Sequence, residues 1–275
     1  MQAQQPDPLP ANRARRVLVV MPTLGRREEG LARAVDSVLA QTEVDARLVI
    51  IAPPDATVAR DAAERAGATF VPDPKRGLSA AVNAGLDAQD GEELYAWLND
   101  DDYLLPAGLA RLAGLLEART DAVVAFGGCV YVDSEDRRIG LSAAGQLAHR
   151  IQRWGPNLVP QPAALTRLSA LNAVGRYDEE LEYAMDLDMF LRLRPLGPFV
   201  STREEIAAFQ WHDDSLTVGG RSLSVSEAQQ VKRRYLPRGV RPLAPLWDLP
   251  VRWATYAAGV QVGRKAAKVA EQARD

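Results

Sequence analysis

The chain has 275 residues, 47% apolar and 25% charged, with a formal net charge of -3 at pH 7. That length allows one large domain or two small ones around a sizeable core, and the acidic balance excludes a general nucleic-acid binder, which would carry a strongly basic face. A single cysteine, Cys129, excludes an intramolecular disulfide and a cysteine-built metal site, so a reducing cytoplasm is the expected setting.

Residues 1–16, rich in Gln, Pro and Arg, read as a flexible tail. The apolar run that follows, "VLVVM", stops at Pro22 and is too short for the core of a signal peptide. Nor does any run approach the roughly 20 apolar residues that cross a bilayer. Residues 17–21 therefore read as a buried parallel strand, and "PTLGRREEG" as a loop into a helix carrying Leu31, Val35, Val38 and Leu39. The order then repeats. "ARLVIIA" is a second strand, Val58 to Gly67 a helix, "ATFVP" a third strand, Ser79 to Ala88 a helix that Ser79 is placed to cap, and "ELYAWL" a fourth strand. The alternation predicts an α/β fold built on one mainly parallel sheet flanked by helices. Ligands of such sheets bind outside the carboxyl ends of the strands.

Beyond Pro106, a helix over Gly108 to Ala118 leads to the strand "AVVAFGGCVYVD", and "SEDRRIG" reads as a turn before a less regular region to about Pro162. A helix near Leu168 to Val174 precedes another over residues 185–194. The prolines at 237, 242, 245 and 250 suggest a linker, followed by a helix from about Val251. From Arg221 to Asp275 the chain is basic, with roughly eleven Lys and Arg against about four acids.

The fourth strand runs into Asn99, Asp100, Asp101 and Asp102. Adjacent carboxylates resist ionising together unless a cation or strong donors compensate them. Hard cations such as Mg2+ and Mn2+ take oxygen ligands, so a metal site and a solvated acidic turn both fit these residues. "KRGLSAAVNAGLD", residues 75–87, is neither a dinucleotide fingerprint nor a P-loop, and as a nucleophile elbow it fails at Ala81. Its glycines at 77 and 85 permit close backbone approach, and Lys75 and Arg76 put positive charge beside a helix N-terminus, where an anion is favoured. In "EYAMDLDMFLRL", Asp186 falls in the first helical turn, where the helix dipole favours the ionised carboxylate that a general base needs. Asp188 and Arg192 share another face of that helix. His212, one of two histidines, is open to metal or phosphate contact, whereas His149 has no acidic or histidine cluster near it and reads as structural.

In chain order, "VVMPTLGR", "SVLAQT", "GLSAAVNAGL", "WLNDDDYLLP", "PQPAALTRLSALNAVGRYDEELEYAMDLDMFLRL" and "HDDSLT" resemble the family 2 glycosyltransferases of the GT-A fold over roughly residues 17–218. The resemblance implies a nucleotide-sugar half at 17–102, an acceptor half at 103–218, and a basic, Pro-containing helical extension at 219–275. It implies that Asp101 and Asp102, with His212, hold a divalent cation, Mn2+ or Mg2+. Pro22, Thr23, Arg26, Asp55, Arg76, Asn83, Asn99 and Asp100 would meet the nucleotide-sugar, a UDP-sugar by family habit. Asp186 would be the base of an inverting transfer, and Gln161, Asp188 and Arg192 would meet a saccharide or lipid-linked saccharide acceptor. Two departures stand out. "IIAPPDAT" replaces the family's Asp-Asp-Gly-Ser, leaving Asp55 as the one acid there, and Asn99 replaces the first acid of the metal motif.

Two other readings remain open at this point: a catalytically silent sugar-binding relative, and a nucleotidyltransferase, for which "PTLGRREEG" is a poor Gly-rich loop. The basic tail either rests weakly on an anionic membrane surface through Trp253 and Tyr256, making the protein peripheral on the inner face, or packs on the core or a second subunit.

Overall fold

The computed structural model describes residues 15–142, 145, 151–211 and 221–253. His149, His212, Tyr256, most of the N-terminal tail and the 218/219 boundary lie outside the described residues.

β1 (Arg16–Pro22), β2 (Asp45–Ala52), β3 (Thr69–Pro72) and β4 (Leu94–Trp97) pair in parallel in the order β3-β2-β1-β4. β1 is apolar without a break because both its faces are covered. Val17, Val19 and Met21 pack with α1 (Glu28–Leu39), α2 (Thr57–Ala66) and α4 (Gly108–Ala118), while Leu18 and Val20 pack with α3 (Leu78–Asp87), α5 (Leu168–Ala173) and α6 (Met185–Leu193). That is the two-residue period of a strand sorting side chains to opposite layers. α3 lies tight on the sheet at Gly85, where an added Cβ would come within 2.5 Å of Val20 Cγ1 and 2.7 Å of Ile51 Cδ1.

The second half of the sheet is mixed. β8 (Ala164–Arg167) pairs antiparallel with both β4 and β6 (Val124–Val132), β9 (Phe199–Gln210) runs parallel to β6, and β5 (Tyr103–Leu104) and β7 (Arg138–Ser142) pair antiparallel with β9 and β6. The sheet order is β3-β2-β1-β4-β8-β6-β9-β5, with β7 on β6. The stretch expected as a turn before an irregular region ends in β7, so it forms a hairpin with β6. β9 is the largest element the residue pattern does not announce. Arg203, Glu204 and Glu205 interrupt its alternation where it shifts register against Gly128, and a Cβ on Gly127 would sit 2.3 Å from Ile206 Cγ1.

The expected linker over residues 237–250 is ordered differently. α7 (Arg221–Tyr235) buries Val231 against the core, a 3-10 turn spans Arg241–Leu243, and residues 245–253 are helical. Nε and Nη2 of Arg233 donate to Asp248 Oδ2 at 3.0 and 2.7 Å and tie this helix to α7. Among the described residues no helix is long and apolar enough to cross a membrane.

Candidate active site

The carboxyl ends of β1 to β4 open into a cavity of about 1020 Å³, closed on its far side by residues 156–162, the start of α6, α7 and helix 245–253. Where the chain leaves β1, Thr23 donates its backbone N–H to the Ile51 carbonyl at 2.8 Å and its hydroxyl to Asp100 Oδ2 at 2.5 Å, and it accepts the Gly25 N–H at 2.9 Å. Arg27 places Nη1 2.7 Å from Asp101 Oδ2 and 3.7 Å from Asp100 Oδ1. Burial pushes the Asp100 carboxyl up, the Thr23 hydroxyl pulls it down, and the Asp101 charge pushes it up again. Asp102 is fully buried. Its oxygens accept the Gln210 backbone N–H at 3.2 Å and the Asn99 amide at 3.2 Å, and burial followed by the Asp101 charge holds its carboxyl well above the usual range. Asn99 in turn accepts the Trp97 indole N–H at 2.9 Å, so the position expected to be acidic links the acidic run to β4.

Among the described residues no three carboxylates, histidines or cysteines converge on one point. The chemistry nevertheless fits a hard cation. Two carboxylates, Asp100 and Asp101, stand beside one another at the cavity wall and already share the guanidinium of Arg27, a positive group answering the repulsion between them.

Asp186, in the first turn of α6, lines the same cavity. Its Oδ1 accepts the Leu187 N–H at 2.7 Å and its Oδ2 accepts the Asn157 amide at 2.8 Å, while Asn157 accepts an N–H of the buried Gln152 at 2.7 Å. Burial outweighs these donors and pushes the Asp186 carboxyl up to about 6. The helix start was expected to keep Asp186 ionised through the dipole. The backbone donors ahead of α6 are instead taken by Glu227 of α7, which accepts the N–H groups of Glu182, Tyr183 and Ala184 at 3.0, 2.6 and 2.7 Å. Tyr131 and Trp211 add an aromatic wall, ring centroids 6.2 Å apart.

Of the residues singled out in the sequence, Pro22, Thr23, Arg26, Asn99, Asp100, Asp101, Asp102, Gln161 and Asp186 line this one cavity, and Gln161 donates to the Trp97 carbonyl at 2.7 Å. Others lie elsewhere. Asp55 is exposed on the loop after β2 and lines no part of the cavity. Arg76 is largely exposed and pairs with Glu179 at 2.9 Å. Asn83 clamps α3 to the chain at Tyr177, donating to its carbonyl at 3.0 Å and accepting its N–H at 3.1 Å. Asp188 and Arg192, expected to meet an acceptor, pair with each other at 2.7 Å behind the cavity wall, where Asp188 also accepts the Tyr235 hydroxyl at 2.6 Å. Ser79 does not cap its helix. Its hydroxyl donates to the Leu181 carbonyl at 3.1 Å.

The cavity also contains Arg27, Asp73, Asn157 and Lys232, which the motifs did not name. Asp73 carried a legible signal, an acid directly after a strand at the sheet's carboxyl edge. Asn157 and Lys232 carried none, because only the packing of α6 and α7 brings them there.

Residues 18–174 match the family model described as Glycosyl transferase family 2. No curated protein sequence matches the chain significantly. Among solved structures, the mannosyltransferase PcManGT from Pyrobaculum calidifontis, with GDP-Man and Mn2+, aligns with a TM-score of 0.64 at 17% identity, over 98% of this chain and 82% of its own. S. aureus TarS residues 1–349, with UDP, aligns with a TM-score of 0.55 at 15% identity, over 82% of this chain and 72% of its own. Against another TarS chain the match spans 43% of that chain's length.

Proposed function

We propose, from the premise that this chain belongs to glycosyl transferase family 2, that it moves a hexosyl group from a nucleoside diphosphate sugar to an acceptor hydroxyl with inversion at the anomeric carbon. The observation that carries this reading is the placement of Asp186, half-buried, held by two donors and facing the same cavity as the acidic run at the sheet edge. In the transfer, the acceptor oxygen forms the new bond to the anomeric carbon and gives its proton to Asp186. The bond from that carbon to the diphosphate oxygen breaks, and the nucleoside diphosphate leaves with the electron pair.

Asp101, with Asp100 beside it and Asp102 beneath, would hold a divalent cation, which when bound supplies positive charge to the leaving diphosphate. Thr23 and Asn99 orient this acidic run. Asp73, which lines the cavity beyond β3, takes the place expected of Asp55 at the nucleoside end. The solved relatives hold UDP and GDP-Man, and a uridine or guanosine diphosphate sugar is the donor class proposed here. The acceptor is a saccharide or lipid-linked saccharide reached from a peripheral position on an anionic membrane, for which the exposed face of helix 245–253 is the contact.

Asp186→Asn tests the assignment of the base. Turnover is expected to fall by about 10²–10⁴-fold while calorimetric binding of the nucleotide is retained. Unchanged turnover would remove Asp186 from this role.

A further inference from the structure

The C-terminal wall of the cavity carries two cations, Lys232 and Arg252. α7 turns Ser224, Val225, Ala228 and Lys232 toward the cavity at helical spacing, and Arg252 of helix 245–253 stands at its mouth. Lys232 is 6% exposed. Among the described residues its ammonium makes one hydrogen bond, to the Gly155 carbonyl at 2.8 Å, although an ammonium has three donors. Burial pushes its pKa down and the Asp248 charge pulls it up.

Two acids near Lys232, Asp248 and Glu227, are already engaged. Asp248 is held by Arg233, and Glu227 caps the approach to α6. Among the described residues no carboxylate lies within ion-pair distance of Lys232. A cation is retained in a buried place when something offsets its lost hydration, and one carbonyl does so only in part.

We propose that Lys232 and Arg252 form an anion subsite, so that the sugar acceptor carries a phosphate or similarly compact anion. Calling the bearer of the anion the acceptor rests on the transfer reading above; anion binding by these two residues does not. The position suits an acceptor. Gly155, which Lys232 contacts, lies two residues before Asn157, the donor to Asp186, whereas Thr23, Arg27 and Asp101 stand at the sheet edge. A phosphate here would accept the remaining ammonium protons and the guanidinium fork of Arg252 as charge-assisted bonds. Glu182 and Asp186 line the same end, and their charge orients the acceptor with its anion toward α7 and its hydroxyl toward Asp186.

The test uses the full chain in EDTA, so that no cation at the acidic run can recruit phosphate. Two probes are titrated, soluble glycerol 1-phosphate and phosphatidylcholine vesicles containing phosphatidic acid, with wild type, Lys232→Gln and Arg252→Gln. At least one probe is expected to bind wild type, and each substitution to weaken that binding about tenfold. Binding of glycerol 1-phosphate identifies a soluble phosphorylated acceptor, and vesicle binding that Lys232→Gln weakens identifies a lipid headgroup, whereas vesicle binding weakened by Arg252→Gln alone reports the outer face of helix 245–253 and overturns the subsite. No binding of either probe, or binding that both variants retain in full, overturns the subsite. Arg252 is exposed, so its variant is informative even where Lys232→Gln lowers the melting temperature. A parallel titration of UDP and GDP with Mn2+ separates the two readings. Nucleotide binding without phosphate binding defeats the subsite alone, while Lys232-dependent phosphate binding without nucleotide binding defeats sugar transfer and leaves the subsite.

Discussion

Asp186 answers to two opposed demands. Burial pushes its carboxyl up to about 6, while the N–H of Leu187 and the amide of Asn157 pull it down. A base acts in its deprotonated form, so kcat/KM is expected to decline as pH falls through about 6. Asn157→Leu deletes a donor to the charged form, which raises the Asp186 pKa and moves that acid limb to higher pH. A limb that stays in place would show that Asn157 does not hold the carboxylate. At the sheet edge, Asp101 has Arg27 as a cationic neighbour. A bound nucleotide that needs a divalent cation should therefore depend on Asp101. Nucleotide plus Mn2+ at about 100 times Kd is expected to stabilise wild type by about 2.7 kcal/mol, read as a rise in melting temperature. Asp101→Ala should show almost none of it, and an equal rise in both proteins would remove Asp101 as a ligand.

Two elements show how local sequence becomes placement. α3 approaches the sheet at Gly85, where a methyl group would press on Val20 and Ile51. Gly85→Ala is expected to cost about 1–3 kcal/mol, measured as a lower urea midpoint at unchanged slope; an unchanged midpoint would mean that α3 can ride outward at no cost. Helix 245–253 has the opposite character. Leu246, Leu249 and Trp253 recur at helical spacing and are 72%, 58% and 71% exposed. Arg238, Arg241 and Arg252 lie in the same stretch, whose described acid, Asp248, is bound to Arg233. An apolar stripe flanked by cations suits an anionic bilayer surface. Wild type is expected to sediment with phosphatidylglycerol vesicles and the Leu246→Glu, Leu249→Glu double variant to remain in the supernatant. Equal recovery of the two in the pellet would defeat membrane contact by this face.

Across the whole molecule, the cavity is a product of the sheet's change of strand direction. β1 to β4 run parallel and bring four carboxyl ends to one edge, after which β8 turns antiparallel and β6 and β9 extend the sheet past it. The site therefore has a wall drawn from residues 22–131 and another from residues 156 onward, and neither is a site without the other.

The sequence by itself determined the parallel half and its acidic edge. Apolar runs of strand length, helical spacing between them and acids at a strand end are local signals, each readable within about ten residues. Asp100, Asp101 and Asp186 were legible in that way, while Thr23 and Asn99 were named only through the resemblance to the family. The tertiary structure decided which of the named residues meet. Asn83 and Arg192 carry polar groups that look available in a sequence, yet they donate to the backbone carbonyls of Tyr177 and Val174. Asp73 and Lys232, separated by more than half the chain, share one cavity because the C-terminal helices fold back over the sheet edge. Burial is set by such long-range contacts, and burial is what pushes Asp186 up and leaves Lys232 a cation in need of an anion.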